Sequence, residues 1–177
     1  MNNSTRVGVS VIAAICLSLG FVSAGQGQAA SPAPTQAQKD AAVTAHASGT
    51  FEVKLTPQPP DDKSTDATLS RLSVDKQFHG DLEATGKGQM LAAGTGAKGS
   101  SGGIVGMERV TGTLYGRSGT FVLQHSGTTT RGAMQYTIIV VPDSGTGQLA
   151  GLAGKMDIKI ADGKHSYEFE YTLAETP

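Results

Sequence analysis

Four side chains in the second half of the chain have the chemistry to build a polar site: Glu108, Arg109, His125 and Tyr136. In an extended segment His125 shares one face with Phe121 and Leu123. An imidazole on such a face would be partly buried, the kind of group that general acid–base chemistry uses. Its plainer alternative is a structural histidine bonded to a neighbouring strand or placed at a barrel mouth. Glu108 and Arg109 are adjacent, so one of them must face the apolar side of its strand. An inward Glu108 would sit between Ile104 and Val110, desolvated unless paired, and its pKa would rise. An inward Arg109 would share a face with Val105 and Met107 and could clamp a ligand carboxylate. The residues leave that choice open, and an ion pair on the rim or outer face is the non-functional alternative. Tyr136, Tyr167 and Tyr171 lie on apolar stripes, where their hydroxyls need partners once buried.

Other patterns carry less. Gly94-Thr95-Gly96-Ala97-Lys98-Gly99 matches G-x-G-x-x-G, but Ser100-Ser101-Gly102-Gly103 follows it and no helix can start there. Without that helix N-terminus there is nothing to hold a pyrophosphate, so the segment reads as a loop. His46, His79, His125 and His165 are spread one per region, with no close ligand pair of the kind zinc sites show. Ser126 follows His125 directly. Neighbouring strand residues point to opposite faces, so these two cannot act as nucleophile and base. No metal and no cofactor is expected.

Composition narrows the classes further. Across 177 residues, 14 basic and 15 acidic side chains are interspersed, for a net charge of −1. Nucleic-acid binding wants a basic stripe to replace phosphate counterions, and none is present. Met1 to Arg6 is polar, Val7 to about Val22 is apolar, and Val22-Ser23-Ala24 is small: the order of a secretory leader. The apolar run is diluted by Gly8, Ser10, Ser18 and Gly20 and is shorter than the roughly 20 residues a spanning helix needs. Residues 1–24 are therefore expected to be a cleaved signal, leaving no stable membrane anchor and a periplasmic or secreted product. Cys16, the single cysteine, lies inside that run behind Ile15, which does not suit lipidation. The mature chain then has no disulfide and rests on its core alone.

Residues 25–44 are rich in Ala, Gln, Ser and Pro and cannot bury enough surface to offset chain entropy; they read as a tether. Pro57 to Asp66, with three prolines and three aspartates, reads as a solvated loop. From Ser48 onward the dominant period is two, the mark of strands with one buried face. Phe51, Val53 and Leu55 alternate with polar neighbours; Leu72, Val74 and Phe78 follow, with Lys76 breaking the stripe. Leu82, Ala84, Gly86, Gly88 and Met90 share a face. Two apolar sets compete between Ile104 and Leu114. Later stripes run through Phe121 to His125, Met134 to Val140, Met156 to Ile160 and Tyr167 to Leu173. Gly- and Asp-rich turns sit between them, at Phe78 to Asp81, Tyr115 to Gly119, Pro142 to Gly145 and Ala161 to Lys164, and predict tight hairpins. About eight antiparallel strands over residues 45–175 are best closed into a barrel, which removes exposed edges. A two-sheet sandwich is the alternative.

The run from Val105 to Gly127, with Glu108-Arg109-Val110-Thr111-Gly112-Thr113-Leu114-Tyr115-Gly116-Arg117-Ser118-Gly119-Thr120-Phe121 at its centre, resembles the core motif of a bacterial family, domain of unknown function 3224. Gly49 to Leu55 and Gly145 to Leu152 are similar to its opening and later motifs. The resemblance covers about Ala45 to Leu173. It implies a closed barrel like that of allene oxide cyclase and brings no activity with it. Most similar members carry a Trp near Tyr136 and many lack a leader; this chain departs on both counts.

An eight-stranded barrel can be filled by side chains or hold one small ligand. The leading expectation is an exported barrel that binds a small apolar molecule, with Glu108, Arg109, His125 and Tyr136 as pocket residues. An isomerase- or cyclase-like enzyme would use the same pocket, with Glu108 or His125 as acid or base. A solidly filled barrel acting through its surface, as an interaction module or homo-oligomer, is the third reading. Cavity volume separates the third from the first two.

Overall fold

The computed structural model describes residues 43–59 and 69–173. The expected leader and the expected tether as far as residue 42 lie outside the described residues, and Thr44, counted in the tether, already opens the first strand. Eight strands follow one another: β1 (Thr44–Gln58), β2 (Leu69–Gly80), β3 (Leu82–Gly94), β4 (Gly102–Leu114), β5 (Arg117–Thr130), β6 (Ala133–Val140), β7 (Ala153–Ala161) and β8 (Lys164–Thr172). Each pairs antiparallel with the next, and β8 pairs with β1 from Thr44 opposite Thr172 to Phe51 opposite His165, so the sheet closes. Closure rules out the two-sheet sandwich. All eight strands answer to the period-two stripes. In β5, Phe121, Leu123 and His125 are buried while Gln124 and Ser126 are exposed.

Three two-residue turns carry positive φ at both positions: Tyr115-Gly116, Arg131-Gly132 and Asp162-Gly163. That geometry matches the right-handed twist of the strands they join. Pro142 to Gly145 differs from the tight hairpin expected of it. The chain there runs on to Ala153 through a short 3₁₀ turn at Gly147–Leu149. Val141 N–H donates to Val122 O and Thr146 N–H to Thr120 O, each at 2.8 Å, so the segment stays bonded to β5. It thereby carries Leu149 and Leu152, both fully buried, under one end of the barrel.

The two ends are unlike. At the end where β2 meets β3 and β4 meets β5, the lumen is packed with Phe78, Leu82, Leu114, Phe121, Tyr167 and Phe169. Phe121 and Phe169 stack at 5.9 Å, and Tyr167 meets Phe78 edge-on at 5.8 Å. At the opposite end the inward stripes continue but stay uncovered. Leu55, Met134 and Ile160 follow the inward parity of Phe51, Ile138 and Met156, yet are 48%, 61% and 55% exposed. β6 and β7 share one registered pair among the described residues, Ile139 with Lys155.

Candidate functional site

Between the packed end and the open end, three charged or polar side chains face inward and are almost wholly buried: Lys76 at 6%, Glu108 at 1% and His125 at 2% exposure. They come from β2, β4 and β5. Strand alternation explains each: Lys76 has the parity of Val74 and Phe78, Glu108 that of Val110, and His125 that of Leu123. Lys76 and Glu108 do not sit on neighbouring strands. Between them runs β3, where Gly86 is paired with Lys76. A Cβ at position 86 would stand 2.9 Å from the Glu108 carboxyl carbon and 3.1 Å from Lys76 Cβ. The missing side chain is the passage through which the carboxylate reaches the ammonium.

Lys76 Nζ donates to Glu108 Oε2 at 2.7 Å, and His125 Nε2 lies 2.9 Å from the same oxygen. On the other side of the imidazole, Tyr136 OH stands 3.4 Å from Nδ1, a long contact. The ammonium is also held over the rings of Phe51 and Phe78, at 5.0 and 5.2 Å from their centroids. Glu108 Oε1 is buried beside Gly86 without a hydrogen-bond partner among the described residues. Burial alone would raise the Glu108 pKa. The His125 hydrogen bond and the Lys76 charge outweigh it, and the carboxyl is held below its ordinary range. The rise expected of an unpaired inward Glu108 therefore does not occur, because the residue is paired. Tyr136 is pushed up to about 12, by burial first and by the charge of Glu108 second.

Tyr136 connects this row to open space. A cavity of about 510 Å³ occupies the uncovered end, walled by Leu72, Ala92, Ile104, Gly127, Met134 and Tyr136 and rimmed by residues of the β3–β4 loop. Of the four networked side chains only Tyr136 is in that wall. Its ring lies against Gly127, its registered partner on β5, where a Cβ would come within 2.9 Å of Cε2. The Gly94 to Gly99 segment, read as a loop, forms part of the rim.

Of the residues singled out in the sequence, Glu108, His125 and Tyr136 thus meet, and Arg109 does not. Arg109 is exposed on the outer face, beside Lys87 and Val122 in the register. The choice between Glu108 and Arg109 falls to Glu108 because the barrel leaves the rival apolar set, Val105 and Met107, in solvent. Lys76, first read as an interruption, is the member that sequence reasoning missed. Its signal was its parity: an inward lysine must find a counter-charge. Ser126 faces away from His125, as adjacent strand positions require. His79 pairs with Glu52 and Glu83 on the surface, and His165 packs on Phe51 at 5.0 Å. Among the described residues no group of three His, Cys, Asp or Glu side chains is arranged to hold a metal.

The sequence matches, over residues 47–171, the family described as protein of unknown function, DUF3224. In structure the chain is similar to a protein with unknown function from that family, from Shewanella oneidensis MR-1. The two are 44% identical with a TM-score of 0.70, over 76% of this chain and 100% of the other. No curated protein matches the sequence.

Proposed function

The chain belongs to the DUF3224 family, and we propose that this member is an exported barrel that holds a small, largely apolar molecule in its open end without transforming it. One observation carries the reading: Leu55, Met134 and Ile160 point into the lumen yet remain about half exposed. Apolar surface left in water forgoes roughly 25 cal/mol per Å². Of the three, Met134 lines the cavity at this end, and a guest seated there would cover it. The cavity of about 510 Å³ falls within the usual span for small-molecule sites, roughly 300–1,000 Å³. Its wall mixes aliphatic residues such as Leu72, Ile104 and Met134 with hydroxyls such as those of Ser70, Thr129 and Tyr136. Its volume also weighs against a solidly filled barrel.

The catalytic alternative assigns acid or base work to Glu108 or His125. Both are buried, bonded to each other and outside the wall of this cavity. His125 borders instead a separate hollow lined by Val105, Met107, Gln124 and Ser126, and Glu108 borders neither. Tyr136 itself, with a pKa near 12, keeps its proton at neutral pH and is a poor base. The arrangement suits a fixed polar hook better than a proton-transfer group. Export rests on the order of polar, apolar and small residues in the first 24 positions.

Native mass spectrometry of the mature protein, purified from periplasm or medium, tests the binding reading. An adduct of a few hundred daltons is expected, lost on denaturation and lost when Ile104→Trp fills the mouth. An adduct indifferent to Ile104→Trp would place the guest elsewhere and overturn the reading.

A further inference from the structure

We propose that the cavity selects apolar molecules bearing a hydrogen-bond donor, a hydroxyl above all, because Tyr136 meets its guest as an acceptor; this rests on the reading of the open end as a ligand cavity. The direction of each proton in the buried row follows from the two groups at its far end. Lys76 carries only donors and Glu108, ionised, only acceptors. The Lys76 ammonium already balances the carboxylate, so an imidazolium at His125 would be a second buried cation with no counter-charge. The imidazole is therefore neutral and has one N–H.

That N–H must lie on Nε2. A lone pair on Nε2 would face Glu108 Oε2 at 2.9 Å and repel it. Nδ1 is left as the acceptor, and the group standing before it is the Tyr136 hydroxyl, at 3.4 Å. A phenol has one proton to give. Spent on Nδ1, it leaves the hydroxyl with lone pairs and no donor for anything else. Tyr136 is also the one member of the row in the cavity wall, among apolar neighbours such as Leu72, Ile104 and Met134. A guest carbonyl or ether oxygen brought against Tyr136 would lose its water and find no proton on that hydroxyl. Ser70 and Thr129, which also line the cavity, can give or accept, so the preference set by Tyr136 is the part that Tyr136→Phe removes. A guest hydroxyl would find an acceptor already oriented, because Gly127 and His125 fix the ring and its proton. The buried charge pair is thus a positioning device: it sets the sign of the hook without touching the guest.

Three probes of like shape test this: 1-naphthol, 1-methoxynaphthalene and 1-naphthaldehyde, titrated by calorimetry into the wild-type protein and into Tyr136→Phe. The naphthol is expected to bind the wild type about 2- to 10-fold tighter than the other two, the worth of one neutral hydrogen bond. Tyr136→Phe is expected to erase that preference and leave the methyl ether unchanged. In parallel, ¹⁵N spectra of His125 are expected to show a protonated Nε2 and an unprotonated Nδ1, a readout that survives if the variant folds poorly. A tighter fit for the aldehyde, a naphthol preference that persists in Tyr136→Phe, or a proton on Nδ1 would overturn the inference. Equal binding of all three would overturn it while leaving the cavity standing. Failure of all three to bind would overturn the cavity itself.

Discussion

Lys76 and Glu108 form their 2.7 Å ion pair across a strand that belongs to neither of them. β3 lies between, and the pair closes over Gly86 because that residue presents no side chain. The buried row of the barrel depends on one missing methyl group.

Gly86→Ala should therefore be among the costly single substitutions in the chain. The new methyl would fall on the Glu108 carboxylate and crowd Lys76 Cβ at 3.1 Å. Displacing the carboxylate leaves two buried charges imperfectly paired, a loss of about 2–4 kcal/mol. Gly103→Ala, on β4, is the control: the atom nearest a Cβ there is 3.6 Å away. Its expected effect is within about 0.5 kcal/mol. Urea unfolding of both variants decides it, and equal midpoints would contradict the role given to Gly86.

Removing one charge should be worse than removing both. Glu108→Gln strands the Lys76 ammonium in the core, at a cost of about 3–5 kcal/mol. Adding Lys76→Met takes that charge away, and the glutamine carbonyl can still accept from His125 Nε2. The double variant is expected to be more stable than Glu108→Gln alone. A double-mutant cycle from denaturant melts measures the coupling. Additive losses would mean that the two side chains act independently.

Acid should find the same pair. The Glu108 pKa is lower in the folded barrel than its ordinary value of 4.5, burial being overcome by the bonds from His125 and Lys76. A depressed carboxyl pKa stabilises the fold above the unfolded value, and that contribution drains away as pH falls through the folded one. Melting temperature should thus fall below about pH 4.5 more steeply in the wild type than in Lys76→Met/Glu108→Gln, which has no carboxyl there. Parallel curves would remove Glu108 from the acid transition.

How far the sequence discloses all this varies with the residue. Period two in β5 is unambiguous, and His125 is legible as inward because Phe121 and Leu123 flank it with alternating polar partners. Glu108 is not legible from β4 alone, since Ile104 with Val110 and Val105 with Met107 make equal claims on the core. Only closure of the sheet decides, by leaving Val105 and Met107 outside. Lys76 breaks an apolar stripe, and its partner lies two strands away, beyond any local pattern. Pro142 to Gly145 has turn chemistry, yet burial of Leu149 and Leu152 draws the chain into a longer plug. Local rules place strands and faces; what meets across the lumen depends on barrel closure and register.

The closed end offers a last test, in which one hydroxyl holds a turn. Tyr167 OH accepts the Leu82 amide at 2.9 Å and lies 3.4 Å from His79 O, to which it donates. It bridges the two sides of the β2–β3 turn from within the lumen, and burial, foremost, pushes its pKa up to about 12. Tyr167→Phe keeps the ring and its edge-on contact with Phe78 but leaves the Leu82 N–H buried without an acceptor. The unsatisfied donor should cost about 1–3 kcal/mol. Hydrogen exchange distinguishes this from a general loosening. The Leu82 amide should lose protection first, while amides in β5, such as that of Leu123, keep theirs until global unfolding. A uniform loss of protection would instead make Tyr167 a general core residue, with no particular hold on the turn.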